Sequence, residues 1–224
     1  MFFPIGDDNI QGGYKPILSY TFLGLNVLVF IYQITKSLEQ IRFIHSEYGI
    51  IPLEISEGED LFTLLTSMFL HGDLMHLGGN MLFLWIFADN IEAIIGTAFF
   101  GLYYILGGLF AAVVHVYIDP MSTIPTIGAS GAISAVMGTY LVMFPKSRIK
   151  MIFLLMFRRP FFISAILFLG LWFGQQLMSG IGTVGATEES GGVAWWAHIG
   201  GFVYGVGAGF LFKKLYGSRY SYTA

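Results

Sequence analysis

The sequence predicts an all-α membrane protein, a bundle of six transmembrane helices with a long, partly membrane-associated first loop. Three observations carry this. Charged residues make up 11% of the 224-residue chain and hydrophobic residues 55%, where a soluble domain carries roughly 25% charged. The mean hydropathy is +0.71. Six stretches approach the roughly 20 apolar residues that a spanning helix needs. The 29 glycines fit the same class, since membrane helices tolerate glycine and use it where they touch. The length suits one domain, so residues 1–224 read as a single membrane unit.

The first predicted helix runs roughly 16–34. Residues 35–74 follow as a loop that mixes acids with Phe43, Ile44, Tyr48, Ile50 and Ile51, a pattern suited to lying at the lipid interface. The second and third helices run roughly 75–95 and 97–118, and the fourth 129–144. The fourth is short by apolar count, so it is expected to begin inside the protein. Pro160 is a favoured first-turn residue and opens a fifth helix over roughly 160–178. The sixth runs roughly 192–215, beginning at Gly192.

Lysine and arginine set the sidedness. Lys15, Lys146, Arg148, Lys150, Arg158, Arg159, Lys213, Lys214 and Arg219 fall on one face, nine of the eleven basic residues. Most acids, Glu188 and Glu189 among them, fall on the other. This predicts a multi-pass protein of a cell membrane with both termini cytoplasmic. Asp7 and Asp8 precede the first apolar segment, which argues against a removable signal peptide.

Composition also excludes chemistry. Without cysteine there is no thiol nucleophile, disulfide or thiolate metal site. A zinc protease wants His-Glu-x-x-His, which is absent, and His71, Asp73 and His76 do not match a zinc spacing. No metal and no cofactor are expected. No basic patch or phosphate-cradling loop points to nucleic acid. An aspartyl mechanism needs two facing carboxylates, and Asp89 has no evident partner. Asp89 and Glu92 are expected at the inner interface or paired with nearby Lys and Arg, and His45 and His115 are read as structural.

Gly128-Ala129-Ser130-Gly131 opens the fourth helix. The glycines permit close backbone approach and leave an accessible hydroxyl. Such small residues also serve helix packing alone. Helices two, four and six all start at the acidic face, so His76, Asn80, Ser130 and His198 converge at one depth. His198 lies about 9 Å into the sixth helix at 1.5 Å per residue. Residues four apart share a helix face. Ala197, Gly201, Gly205 and Gly209 form one small-residue stripe, and Ser130, Ser134 and Gly138 another. Facing stripes would bring the imidazole to the hydroxyl. An intramembrane histidine is a functional hypothesis by default. Serine needs an adjacent base, and histidine suits that work near neutral pH. Asn80 and His76 share a face and offer donors to a tetrahedral oxyanion, with the Ser130 N–H as a third. No carboxylate lies within helical reach of His198, so a Ser–His dyad is expected, with the histidine oriented by packing.

These residues resemble the rhomboid family of intramembrane serine proteases. The match lies in Gly128-Ala129-Ser130-Gly131, in Ala197-His198 followed by Gly201 and Gly205, and in His76 with Asn80 after Phe69-Leu70-His71. It extends to Ile51-Pro52, Asn90-Ile91-Glu92 and Leu171-Trp172-Phe173. The resemblance implies Ser130 as nucleophile, His198 as base, His76 and Asn80 at the oxyanion, and His71 in a supporting role. It also implies cleavage of other proteins' transmembrane segments near the outer face, with the fifth helix and the loop before the sixth gating entry. Three positions depart from the pattern. Phe62-Thr63 replaces a Trp-Arg pair of some members, Ser134 stands where an aromatic often packs on the histidine, and Ala88 stands for a common glycine. The form implied is a minimal six-helix one of a bacterial inner membrane. Its partners are transmembrane protein substrates and membrane lipid, with no oligomeric state implied. The rival reading is a catalytically inactive rhomboid-like protein that binds membrane helices. The presence of both Ser130 and His198 argues against it. A transporter would need polar residues continuing past Ser134 and His198, where both helices read almost entirely apolar.

Overall fold

A computed structural model describes residues 2–8, 12–153, 159–183 and 193–217. Arg158, Glu188, Glu189, Gly192 and Arg219, and most of the loop before the last helix, lie outside the described residues. The elements are β1 (Phe2–Gly6), α1 (Ile17–Ile34), α2 (Leu38–Tyr48), α3 (Pro52–Glu57), α4 (Thr63–Thr66), a 3-10 turn (Ser67–Phe69), α5 (Leu74–Ile95), α6 (Thr97–Ile118), α7 (Ser130–Met143), β2 (Arg148–Phe153), β3 (Phe161–Ser164), α8 (Ala165–Thr183) and α9 (Trp195–Tyr216).

The six expected long helices are α1, α5, α6, α7, α8 and α9, but they are not equivalent. Among the described residues only α1, α6 and α8 are long and apolar enough to cross a membrane by length and composition. α5 and α9 have 22 residues each, yet α5 carries His76, Asn80, Asp89 and Glu92, and α9 carries His198, Lys213 and Lys214. α7 has 14 residues, about 21 Å at 1.5 Å per residue, against roughly 30 Å of hydrocarbon. It therefore starts inside the bundle. Residues 131–140 are buried without exception, so α7 is the central post around which α5, α6, α8 and α9 stand.

Two kinds of packing hold that post. On one side Leu84, Phe87 and Ile91 of α5 and Phe100 and Tyr104 of α6 are fully buried, and Tyr104 stacks on Phe22 of α1 with centroids 4.5 Å apart. On the other side α7 and α9 meet backbone to backbone. A Cβ on Gly201 would be driven into the Gly131 carbonyl, on Gly205 into the Ala135 carbonyl, and on Gly138 into the Phe202 carbonyl. The two small-residue stripes thus face each other. The seam also carries a polar link, in which Thr139 Oγ1 donates to the Gly205 carbonyl at 2.7 Å; on its other side α7 is tied to α6, where Tyr103 OH donates to the Ala135 carbonyl at 2.6 Å.

Of the two acids of α5, Glu92 departs from the expected pairing with Lys or Arg. It is fully buried and pairs with no cation among the described residues. Its carboxylate accepts the Leu18 and Ser19 backbone N–H groups at 2.9 and 2.7 Å and the Ser19 hydroxyl at 2.6 Å. The first N–H groups of a helix have no partner within it, so Glu92 supplies a capping anion to α1 from another helix, where the helix dipole favours negative charge. Asp89 accepts from the Asn90 N–H at 2.8 Å.

The all-α expectation also needs correcting. At the basic end β1, β2 and β3 form an antiparallel sheet in that order. In β2 Ile149 and Met151 are buried and Arg148 is exposed, a period-two alternation that the basic residues disguise as a charged loop. Pro160 precedes β3 rather than opening a helix, and α8 begins at Ala165.

The sheet brings the chain's start under α7. The Tyr140 hydroxyl donates to Asp7, Asn90 Nδ2 donates to it at 3.0 Å, and Arg148 pairs with Asp8 at 2.9 Å. Burial pushes the Asp7 carboxyl up to about 7; the Asp89 and Asp8 charges add to the rise, and the Tyr140 and Asn90 bonds oppose it. A carboxyl raised above its ordinary value of 3.8 binds its proton more tightly folded than unfolded. Its contribution to stability is present below about 4 and is lost as pH rises through about 7. The melting temperature in detergent is expected to fall across that window, and Asp7→Asn to flatten the fall. An identical pH slope in the variant would contradict this.

The first loop is helical. α2 starts at a capping box in which Ser37 and Gln40 serve each other's backbone. It leaves Leu38, Phe43 and Tyr48 exposed.

Candidate active site

Ser130 is the first residue of α7. The first bond within that helical turn runs from the Ile133 N–H to the Ala129 carbonyl at 3.0 Å, so the N–H groups of Ser130, Gly131 and Ala132 precede it. The preceding Gly128 has φ +127°, which L side chains rarely adopt, and its N–H is held by the Ser67 carbonyl at 2.9 Å. A Cβ there would lie 2.7 Å from His76 Nε2 and 3.6 Å from Asn80 Nδ2. Glycine at 128 is therefore what lets these two α5 side chains come up against the serine loop.

His198 Nε2 lies 2.8 Å from Ser130 Oγ. The separation of 68 positions in the chain is closed by the α7–α9 seam, with Gly201 against Gly131 three residues beyond the histidine. The histidine is not held by packing alone, as expected. Gln176 of α8 places its Oε1 2.7 Å from His198 Nδ1. In place of an aromatic at 134, Trp172 and Trp195 flank the ring at 6.0 and 6.1 Å. Ser134 instead donates to the Ser130 carbonyl at 2.6 Å, a bond to the preceding turn.

Two α5 side chains, His76 and Asn80, line the same cavity as the hydroxyl. Asp73 accepts the His76 N–H at 2.8 Å and caps the helix. His76 Nδ1 accepts the Gly72 N–H at 3.4 Å; a neutral imidazole that accepts at Nδ1 carries its proton on Nε2, the atom turned toward Gly128. Asn80 Nδ2 donates to His71 Nε2 at 2.9 Å. An amide nitrogen has two hydrogens, so one remains for a ligand. Burial, with the neighbouring His76, pushes the imidazole of His71, which lies ahead of α5, down to about 4. It stays neutral and able to accept.

Behind His71 stands a residue that the sequence reading missed. Gln33, in the last turn of α1, accepts the His71 N–H at 3.2 Å and donates to the His71 carbonyl at 3.1 Å. His45 joins Gln33 at 2.8 Å, and His115 joins Thr126 at 2.9 Å. His115 also lines the cavity. The signal for Gln33 and Gln176 was an amide in a mostly apolar helix, but Asn26 and Gln175 carry the same signal, and neither helix names the partner.

These groups line a cavity of about 700 Å³ that holds Ser130, His198, His76 and Asn80 together with Gly128 and Trp172. A hydroxyl on an imidazole nitrogen, beside convergent N–H donors, is an arrangement suited to acyl transfer. Among the described residues no cluster of three or more His, Cys, Asp or Glu could hold a metal ion.

Comparison with known proteins bears on the family. The chain is 30% identical over 205 residues to Rhomboid protein 1, mitochondrial, of Saccharomyces cerevisiae, covering 88% of this chain and 54% of that protein. It is 29% identical over 210 residues to the human Presenilin-associated rhomboid-like protein, mitochondrial, covering 89% and 48%. Against Rhomboid protease GluP of Bacillus subtilis it is 28% identical over 210 residues, covering 92% and 37%. The chain thus spans about half the length of the first curated relatives it matches. The yeast and human relatives are mitochondrial by name, which overturns the expectation of a bacterial inner membrane with cytoplasmic termini. Lysine and arginine mark one end of the bundle without naming the compartment it faces. Residues 58–215, more than half of the chain, match the family model described as Rhomboid domain, and the chain belongs to the rhomboid family.

Proposed function

We propose that this protein is an intramembrane serine endopeptidase, a single membrane domain of six spans that cuts transmembrane segments of other proteins through a Ser130–His198 dyad. The observation that carries this is the 2.8 Å approach of His198 Nε2 to Ser130 Oγ inside a cavity, with Asn80 and His76 turned toward the same place. Ser130 Oγ attacks the scissile carbonyl carbon as its proton passes to His198. The carbonyl oxygen gains negative charge and meets the Asn80 amide, the His76 Nε2–H and the Ser130 N–H, at the positive end of α7. The C–N bond breaks as the imidazolium gives its proton to the leaving nitrogen. Water, with His198 again as base, then releases the acyl group.

A substrate helix must open before its carbonyl can be attacked, and each unsatisfied backbone group in lipid costs several kcal/mol. Cleavage should therefore favour segments with a helix-breaking residue near the Ser130 end. The test uses purified protein in liposomes with transmembrane reporters that differ in one Gly or Pro, beside a serine-reactive fluorophosphonate. The expected result is labelling of Ser130 and faster cleavage of the broken helix. An unlabelled and inert wild type would favour a helix-binding protein without hydrolytic activity, and equal cleavage across the series would sink the preference.

A further inference from the structure

We propose that Gln176 is the positioning residue that selects the reactive tautomer of His198. The proposal rests on the reading of Ser130 and His198 as a dyad. It starts from an anomaly in α8. That helix exposes Ile166, Leu167, Leu171, Met178 and Ile181, and only Ala165, Leu169, Gln176 and Gly180 are buried. Gln176 is 4% exposed. Its neighbour Gln175 is exposed, whereas a buried primary amide is unfavourable unless it is paired, and the chain places this one where its Oε1 meets His198 Nδ1 at 2.7 Å.

The consequence is chemical. An amide oxygen can only accept, so the bond exists only while His198 carries its proton on Nδ1. A neutral imidazole with its proton on Nδ1 has its lone pair on Nε2, the nitrogen 2.8 Å from Ser130 Oγ. The opposite tautomer would put a hydrogen between Nε2 and the hydroxyl and leave two lone pairs facing each other at Nδ1. In Ser-His-Asp enzymes a carboxylate does this work and also stabilises the imidazolium. Gln176 supplies the orientation without the charge. Trp172, four residues earlier on the same face of α8, steadies the ring, but a ring face cannot choose between the two nitrogens.

The other titratable groups that face His198 are His76 from α5 and His115 from α6; α7 and α8 present the uncharged Ser130, Trp172 and Gln176. Asp73, which lines the same cavity, is engaged as the cap of α5, so a carboxylate at 176 would be the one anion bonded to His198 among the described residues. The experiment compares wild type, Gln176→Leu and Gln176→Glu by kcat and KM on a transmembrane reporter across pH. It also records histidine ¹⁵N shifts in the catalytically silent Ser130→Ala background. Gln176→Leu should lower kcat about tenfold to hundredfold with KM unchanged, and its His198 shifts should move toward a mixture of tautomers. Gln176→Glu should recover turnover relative to leucine and move the acid limb of kcat/KM to higher pH, because the new charge holds the imidazolium. Wild-type kcat in Gln176→Leu, or an unshifted acid limb in Gln176→Glu, overturns the role of Gln176 and leaves the dyad standing. An inert wild type overturns the dyad instead, and the ¹⁵N shifts then still decide whether Gln176 sets the tautomer.

Discussion

Ser130→Ala and His198→Ala are each expected to abolish cleavage of a transmembrane reporter, by at least about 10³-fold in rate, and the double variant to be no worse than either. The reason is the single bond they share. Without the hydroxyl, His198 has nothing to activate. Without the imidazole, Ser130 keeps an ordinary serine's reluctance to give up its proton. Two groups that perform one step fail together, so their losses do not multiply. What survives comes from the α5 donors and the Ser130-end N–H groups, which still polarise a carbonyl for attack by water. Asn80→Ala should fall between these extremes, at about 10²–10³-fold, the usual cost of one oxyanion donor. The measurement is single-turnover cleavage in liposomes, with reporter capture by Ser130→Ala recorded alongside. Captured but uncut reporter places the loss in chemistry. Multiplying losses in the double variant would mean that the two side chains act independently, whatever their distance.

What the residues disclosed before the fold was known depended on the range over which each interaction acts. Helix positions came out to within a residue or two for α1, α5 and α6, because an apolar run and its end signals are local. The meeting of Ser130, His198, His76 and Asn80 was also legible. It follows from counting spans: three helices that enter from one face must bring their first turns to one level. The glycine stripes added the lateral information. The partners of single polar groups stayed hidden. Gln33 and Gln176 each share their helix with a second amide, Asn26 and Gln175, and their histidines lie 38 and 22 residues away. Glu92 reads as an acid of the inner interface or the partner of a nearby Lys or Arg, because nothing local shows that the first N–H groups of α1 end on it. The sheet was hidden for the same reason. The alternation in 148–153 is visible, but β1 pairs with it from the opposite end of the chain. Compartment was not legible at all, since lysine and arginine record which side was retained during insertion and not which membrane it was.

Gly205→Leu tests the structural half of the same idea, and its effect on stability should be the largest of any single apolar substitution in α9. Its Cβ would be driven into the backbone of Ala135, and backbone cannot swing aside as a side chain can. The helices must part, and with them the Thr139 bond to the Gly205 carbonyl. Overpacking of this kind costs about 3 kcal/mol or more, a fall of roughly 6–12 °C in melting temperature for a domain of this size. Gly207, two residues on, is the control. Nothing lies within 4 Å of a Cβ there, and Gly207→Leu should leave both melting temperature and cleavage near wild type. In lipid no hydrophobic force pulls helices together, so close packing has to supply their association. A shift of about 1 Å between α7 and α9 would also carry His198 away from Ser130, and displacement on that scale can cost about 10²-fold in rate. If both glycines tolerate leucine equally, the seam is not what sets the distance between hydroxyl and imidazole. If only Gly205 fails, and activity falls before the fold does, helix packing and catalysis depend on the same few ångströms.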